Sequence, residues 1–232
     1  MLIPALAIQD LGCVRGGRSL FTGLSVDVPG GHLLRVTGAN GAGKTSLLRM
    51  VCGLLRPERG EVLWRGTRIG TLREDFHRQL VYLGHAAALK DELSPIENLL
   101  TSTRLGGEEP SVEQAVAALA AAGLGRLDAQ GHAQGHAQGH GQGHGQGHGL
   151  HAPSRTLSQG QRRRVALARL LLASEAPLWV LDEPFNALDT AAAAWLLQVI
   201  ATHVRRGGVV LLTSHQPDLA LPATLPQIEL AL

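Results

Sequence analysis

Apolar residues in this chain fall first into short runs with strand spacing and later into longer runs with helical spacing. Residues 6–14 and 24–28 read as strands separated by the Gly16-Gly17 turn, and residues 33–37 as a buried-strand run that ends at Gly38. Residues 44–53 continue as an apolar helix with Gly53 near its stop, and residues 61–64 and 80–83 read as further strands. From Leu93 the pattern turns helical. Ser94-Pro95-Ile96-Glu97 supplies an N-cap, a proline at the first helical position and an acid in the first turn. Residues 111–122 form a second, alanine-rich helix capped by Ser111, and residues 158–172 a basic one. Residues 178–181 and 209–213 are buried strands flanking a helix over residues 190–206. Strands alternating with helices at this spacing predict an α/β fold built on a largely parallel sheet covered on both faces.

One stretch departs from both periods. Between Gln130 and His151 the chain repeats a unit close to (A/G)-Q-G-H, placing His132, His136, His140, His144 and His148 four residues apart, with His151 just beyond. A period of four could stack imidazoles on one helix face. The eight glycines from Gly131 to Gly149 oppose it, each costing ~1 kcal/mol against alanine in a helix. A disordered surface loop is the expectation over residues 130–152. Imidazoles ligate metals and haem, but near-identical units without carboxylate or thiol partners suit repeat expansion, so the tract is expected to be dispensable.

Composition narrows the picture modestly. The 232 residues suffice for one large domain or two small ones, with 44% hydrophobic and 3% aromatic residues. A net charge of +2 is too small to argue for nucleic acid. Cys13 and Cys52 have no C-x-x-C or metal-ligand spacing and read as small buried hydrophobes in a reduced cytosol. The apolar start lacks a basic n-region and meets Gln9 and Asp10 at once, so no secretory signal is read. No stretch approaches the ~20 apolar residues needed to cross a bilayer. Spanning helices, where required, are expected from another subunit.

The chemistry sits at strand ends. Gly38, Ala39, Asn40, Gly41, Ala42, Gly43, Lys44 and Thr45 fit G-x-x-x-x-G-K-[ST], with the required strand before and helix after. Such a loop lets backbone N–H groups crowd phosphates while the helix N-terminus adds a favourable dipole. Lys44 is expected to reach the β- and γ-phosphates, and the Thr45 hydroxyl to bind Mg²⁺. A strand then delivers Asp182 at its C-terminal end, where ligands of open α/β sheets collect. Asp182 is expected to hold Mg²⁺ through water and Glu183 to polarise the attacking water. The alternative is an acidic pair that only caps the next turn.

Together these strings resemble the nucleotide-binding subunit of ATP-binding cassette transporters, over essentially the whole chain. Leu157-Ser158-Gln159-Gly160-Gln161 is similar to the family signature L-S-G-G-Q, whose serine and glycine contact the γ-phosphate held by a partner subunit. The resemblance implies that Ser158, Gly160 and Gln161 reach nucleotide across a homodimer closed over two ATP with Mg²⁺. Asn186-Ala187-Leu188-Asp189 resembles the loop that signals across that dimer, and His215 matches the switch histidine that reaches the γ-phosphate. The implied fold is a P-loop NTPase core, about residues 1–85 and 177–232, with an inserted helical lobe of about residues 86–176.

Three positions depart from the family pattern. Gln159 replaces the usual small residue of the signature. Arg15 stands where an aromatic residue commonly stacks on adenine, and a guanidinium plane also stacks on a π-system. His85 stands where most members have a glutamine linking Mg²⁺ to the membrane partner; imidazole still hydrogen-bonds a water or phosphate, with a pH-sensitive charge.

Tyr82-Leu83-Gly84-His85, Glu61-Val62-Leu63-Trp64-Arg65-Gly66, Leu178-Trp179-Val180-Leu181-Asp182-Glu183-Pro184-Phe185 and Thr213-Ser214-His215-Gln216 narrow the resemblance further. As a set they resemble the haem-export ATPases of bacterial cytochrome c maturation. That implies an ATP-hydrolysing translocase subunit, peripheral on the cytoplasmic face of the inner membrane and bound to transmembrane permease subunits. The alternatives are the motor of another exporter (of lipid, drug or peptide), a soluble cassette ATPase, and a metal-binding protein built around the histidine tract.

Overall fold

In the computed structural model, which describes residues 3–125, 149–214, 221–222 and 224–232, the chain divides into two units. One comprises Met1–His85, Ser174–Phe185 and Leu197–Leu232, the other Ala86–Ala173 and Asn186–Leu196.

Two sheets build the first unit. β1 (Leu6–Arg15) pairs antiparallel with β2 (Arg18–Val28) on one side and β4 (Arg59–Trp64) on the other. A short β5 (Thr67–Arg68) pairs with β4, completing a four-stranded sheet in the order β2-β1-β4-β5. The second sheet contains β3 (Leu33–Thr37), β6 (Leu80–Leu83), β7 (Leu178–Leu181), β8 (Val209–Thr213) and β9 (Gln227–Ala231). Its order is β6-β7-β8-β3-β9 and every pairing is parallel. β7 and β8 are buried throughout because sheet neighbours flank both of them, whereas the edge strand β9 alternates exposed and half-buried residues.

The core of this unit gathers Leu6, Ile8, Leu34, Leu47, Trp64 and Leu211, among others. α1 (Lys44–Val51) buries Leu47, Leu48, Met50 and Val51. Two single-turn helices, α2 (Ile69–Leu72) and α3 (Glu74–His77), deliver Phe76 to Trp64, ring centroids 6.2 Å apart. At the end of α7 (Thr190–Arg205), His203 stacks on Trp179 of β7 at 3.7 Å and 10°. Burial pushes that imidazole down to about 4, and the Arg206 cation acts in the same direction.

The second unit is helical: α4 (Pro95–Arg104), α5 (Val112–Leu119), a 3-10 turn at Ser154–Thr156 and α6 (Gln159–Leu172). α5 runs on into a π-turn at Ala120–Leu124, where Gly123 adopts φ 80°. Each of the three helices starts with a capping box, formed by Ser94 with Glu97, Ser111 with Gln114 and Ser158 with Gln161. Ile96, Leu99, Ala115, Leu119, Leu157 and Val165 belong to its core.

The alternation of strands and helices predicted a largely parallel sheet, and five strands obey. The antiparallel sheet is additional. β2 begins at Arg18 rather than near residue 24; its first half is mostly exposed and carries no sustained apolar run, so the apolar pattern did not reveal it. The histidines at 132, 136, 140, 144 and 148, and His215, lie outside the described residues.

Candidate functional site

β3 ends at Thr37 and α1 begins at Lys44, so residues 38–43 must reverse the chain in six residues. Gly38, Gly41 and Gly43 adopt φ of 144°, 81° and 107°, a region that side chains strain to enter. A Cβ on Gly43 would also stand 3.0 Å from the Phe21 ring. α1 starts without a side-chain cap and without an acid in its first turn, which leaves its positive end to an anion. Lys44 is buried, and its Nζ donates to the carbonyls of Gly38 at 2.7 Å and Ala39 at 3.0 Å. The ammonium is thereby held against the loop that precedes it.

Asp182 follows β7 and joins three elements. Its backbone N–H donates to Leu83 O at 2.8 Å. Its carboxylate accepts from the Thr45 hydroxyl at Oδ2 and from the Thr213 hydroxyl at Oδ1, both at 2.8 Å, and the residue is 1% exposed. Thr213 Oγ1 in turn accepts from the Glu183 backbone N–H at 2.8 Å. The aspartate charge is felt nearby: the Cys52 thiol is pushed up by burial and, secondarily, by Asp182. Burial likewise raises the Tyr82 hydroxyl, opposed by its hydrogen bond with Arg49 and aided by Asp182.

Glu183 has φ 49°, a left-handed conformation that costs a non-glycine residue ~1–2 kcal/mol. Such strain persists only where the surroundings impose it, and here the Thr213 bond to its N–H does so. Its half-buried carboxylate lines an open pocket of about 300 Å³ together with Arg15, Asn40, Gly41, Lys44 and Thr45. On its other side, Oε2 lies 3.4 Å from Nδ1 of the exposed His85. Arg15, His85, the glycine-rich loop, Asp182 and Glu183, far apart in sequence, are therefore assembled in one unit. The arrangement offers helix-end amides and an ammonium for phosphate, a hydroxyl–carboxylate pair for a hard cation, and a carboxylate base beside both.

Ser158, Gly160, Gln161 and Asp189 assemble separately, in the helical unit. The Ser158 hydroxyl accepts from Gln161 N–H at 3.2 Å, and Ser158 N–H donates to Gln161 Oε1 at 2.8 Å. The Gln161 side chain is thus occupied in starting α6, a role its place in the signature string does not reveal. A Cβ on Gly160 would stand 2.7 Å from the Ala187 carbonyl, so the loop over residues 186–189 closes on a position that only glycine fits. Asp189 Oδ1 accepts from Ala192 N–H at 2.8 Å, and its Oδ2 lies 3.8 Å from Arg164.

Thr213 was not singled out as a site residue by sequence reasoning. The available signal was its position as the last residue of a buried apolar strand, immediately before Ser214-His215. Among the described residues no group of three or more metal-ligating side chains occurs, and no helix is long and apolar enough to cross a membrane.

The profile of the family described as ABC transporter matches residues 21–186. The chain belongs to the ABC transporter family. It is an ABC ATPase subunit, and its fold is of the P-loop NTPase type. A cytochrome c biogenesis ATP-binding export protein of Aromatoleum aromaticum is 47% identical over 223 residues, covering 96% of this chain and 94% of the relative. The protein of the same name from Dechloromonas aromatica is 48% identical, over 91% of this chain and 92% of its own. Within the family this ABC ATPase therefore groups with those export proteins, as the four subfamily strings implied. A solved structure described as a putative ABC transporter ATP-binding protein from Pyrococcus furiosus superposes with TM-score 0.73 at 23% identity, over 97% of this chain and 96% of the other. An ATP-binding cassette solved as a dimer in a post-hydrolysis state with ADP and Pi superposes with TM-score 0.70 at 20% identity, over 93% and 90% of the two chains.

Proposed function

We propose that this ABC ATPase hydrolyses ATP at the interface of a homodimer and drives the membrane complex that supports cytochrome c maturation. One observation carries the hydrolytic part. The joint of Thr45, Asp182 and Thr213 holds the Glu183 backbone in a strained conformation, with its carboxylate on the pocket that the phosphate loop lines.

In this reading ATP occupies the pocket lined by the loop, Lys44, Arg15 and Glu183. The loop amides of residues 38–43, the α1 N-terminus and Lys44 meet the β- and γ-phosphates, and the Arg15 guanidinium offers a plane to adenine. Thr45 and Asp182, an O-donor pair, would hold Mg²⁺, which neutralises phosphate charge when bound. Glu183 takes a proton from water as its oxygen attacks the γ-phosphorus, giving ADP, inorganic phosphate and a proton released to solvent. Ser158 and Gly160 of the second copy, with Gln161 shaping their turn and Asp189 signalling across the dimer, complete the pocket when the dimer closes; His215, by its match to the switch histidine, is assigned the γ-phosphate.

In this reading residues 1–85 and 177–232 form the nucleotide core, and residues 86–176 a helical lobe that passes closure to transmembrane permease subunits. The protein lies peripherally on the cytoplasmic face of the inner membrane. Relatives above 40% identity over nine-tenths of the chain, named for cytochrome c biogenesis, support the choice of cargo pathway. The test is covalent c-type haem, stained by its peroxidase activity, in native cells carrying Glu183→Gln as the only copy. Loss of staining, restored by the unmutated gene, is expected. Normal staining would send the assignment to another exporter.

A further inference from the structure

Residues 86–93 form neither helix nor strand, so their backbone polar groups need partners from elsewhere. Asn98 of α4 supplies several. Buried at 5% exposure, it accepts from Lys90 N–H at 2.8 Å and donates to Lys90 O at 2.9 Å, with Leu93 O at 3.1 Å also in reach. The same amide donates to the Ser154 hydroxyl at 3.0 Å.

Ser154 is wholly buried, and each of its polar groups is engaged. Its N–H donates to Leu93 O at 2.8 Å, its hydroxyl accepts from Asn98, and its carbonyl accepts from Arg162 Nη1 at 2.9 Å. Arg155 N–H donates to Asp91 O at 3.1 Å, and the Asp91 carboxylate lies 2.6 Å from Arg162 Nη2. Arg162 stands in the first turns of α6, and Ser154 precedes the α6 cap Ser158 by four residues, with buried Leu157 between. An irregular loop and the signature turn are thus tied together by one serine, one asparagine and one ion pair.

We propose that Ser154 is a positioning residue for ATP turnover. It locks the loop of residues 86–94 to the signature turn, so that the two move as one body. The loop begins at the residue after His85, which faces Glu183, so any displacement of the loop is delivered to Ser158 rather than absorbed. The role of this lock in turnover rests on the ATPase reading above.

The test uses the full-length protein with Ser154→Ala, Arg162→Asp and the charge-reversed pair Asp91→Arg with Arg162→Asp. Ser154→Ala is expected to lower kcat on the order of 3- to 30-fold, the range of substitutions that weaken coupling without touching ligand, while ATP affinity stays within about twofold. The reversed pair is expected to recover part of the turnover that Arg162→Asp loses. Unchanged kcat in Ser154→Ala, or a reversed pair no better than Arg162→Asp alone, overturns the proposal. Should the unmutated protein lack Glu183-dependent turnover, the ATPase reading fails instead, and amide exchange then tests the lock itself. Ser154→Ala must speed exchange at Lys90 and Leu157 together; protection unchanged at Lys90 overturns it.

Discussion

Thr213 shows how one hydroxyl sets the geometry of two acids. It donates to Asp182 and accepts from the Glu183 N–H, so a single atom fixes both the buried carboxylate and the backbone beside it. Thr213→Val keeps the shape and removes two hydrogen bonds, one to the buried Asp182 carboxylate and one from the Glu183 N–H. The expected cost is ~1–3 kcal/mol in urea unfolding, with a larger loss in kcat than in ATP affinity because Lys44 and the loop are untouched. A variant that unfolds like the unmutated protein would show that the threonine is only spatial filler. His203 gives a prediction of different kind. Its ordinary value is 6.5, and burial against Trp179 lowers it to about 4 in the folded protein. The unfolded chain therefore takes up a proton first as pH falls. The stability that neutral His203 contributes above about 6.5 is lost between there and about 4. Unfolding free energies at pH 7.5 and 5.0 should differ less in His203→Phe than in the unmutated protein; an equal difference in both assigns that acid sensitivity to other groups.

At the scale of elements, the phosphate loop was readable because its glycines, lysine and threonine lie in one string with a strand and a helix around them. The buried strands β7 and β8 were equally plain, since central parallel strands are apolar at every position. β5, β9 and the single-turn helices α2 and α3 were not. β5 is two residues long, and β9, on the sheet edge, buries none of its side chains fully. The second use of Gln161 was hidden too, because a capping box has the same sequence whether or not the helix end binds anything. Gly160 is the element's sharpest test. Gly160→Ala pushes a Cβ into the Ala187 carbonyl, 2.7 Å away, and shifts the signature turn against residues 186–189. The proposed reading puts ATP on the other unit, so ATP binding should persist while turnover falls about tenfold; parallel loss of both would place Gly160 outside turnover and inside folding.

For the whole molecule, membership of the ABC transporter family and the assembled pocket support a common account. On the proposed reading, the acid that activates water, the loop that would hold phosphate and the turn that would complete a second copy's site lie on separate elements, and only a dimer would use all of them. The most direct measurement is sedimentation of purified Glu183→Gln and Lys44→Ala proteins with saturating ATP and Mg²⁺, alongside their ATPase rates. The account predicts that Glu183→Gln binds ATP, turns over negligibly and sediments as a dimer, while Lys44→Ala fails to bind and stays monomeric. A Glu183→Gln protein that remains monomeric with ATP bound, or hydrolyses it at the unmutated rate, contradicts the account.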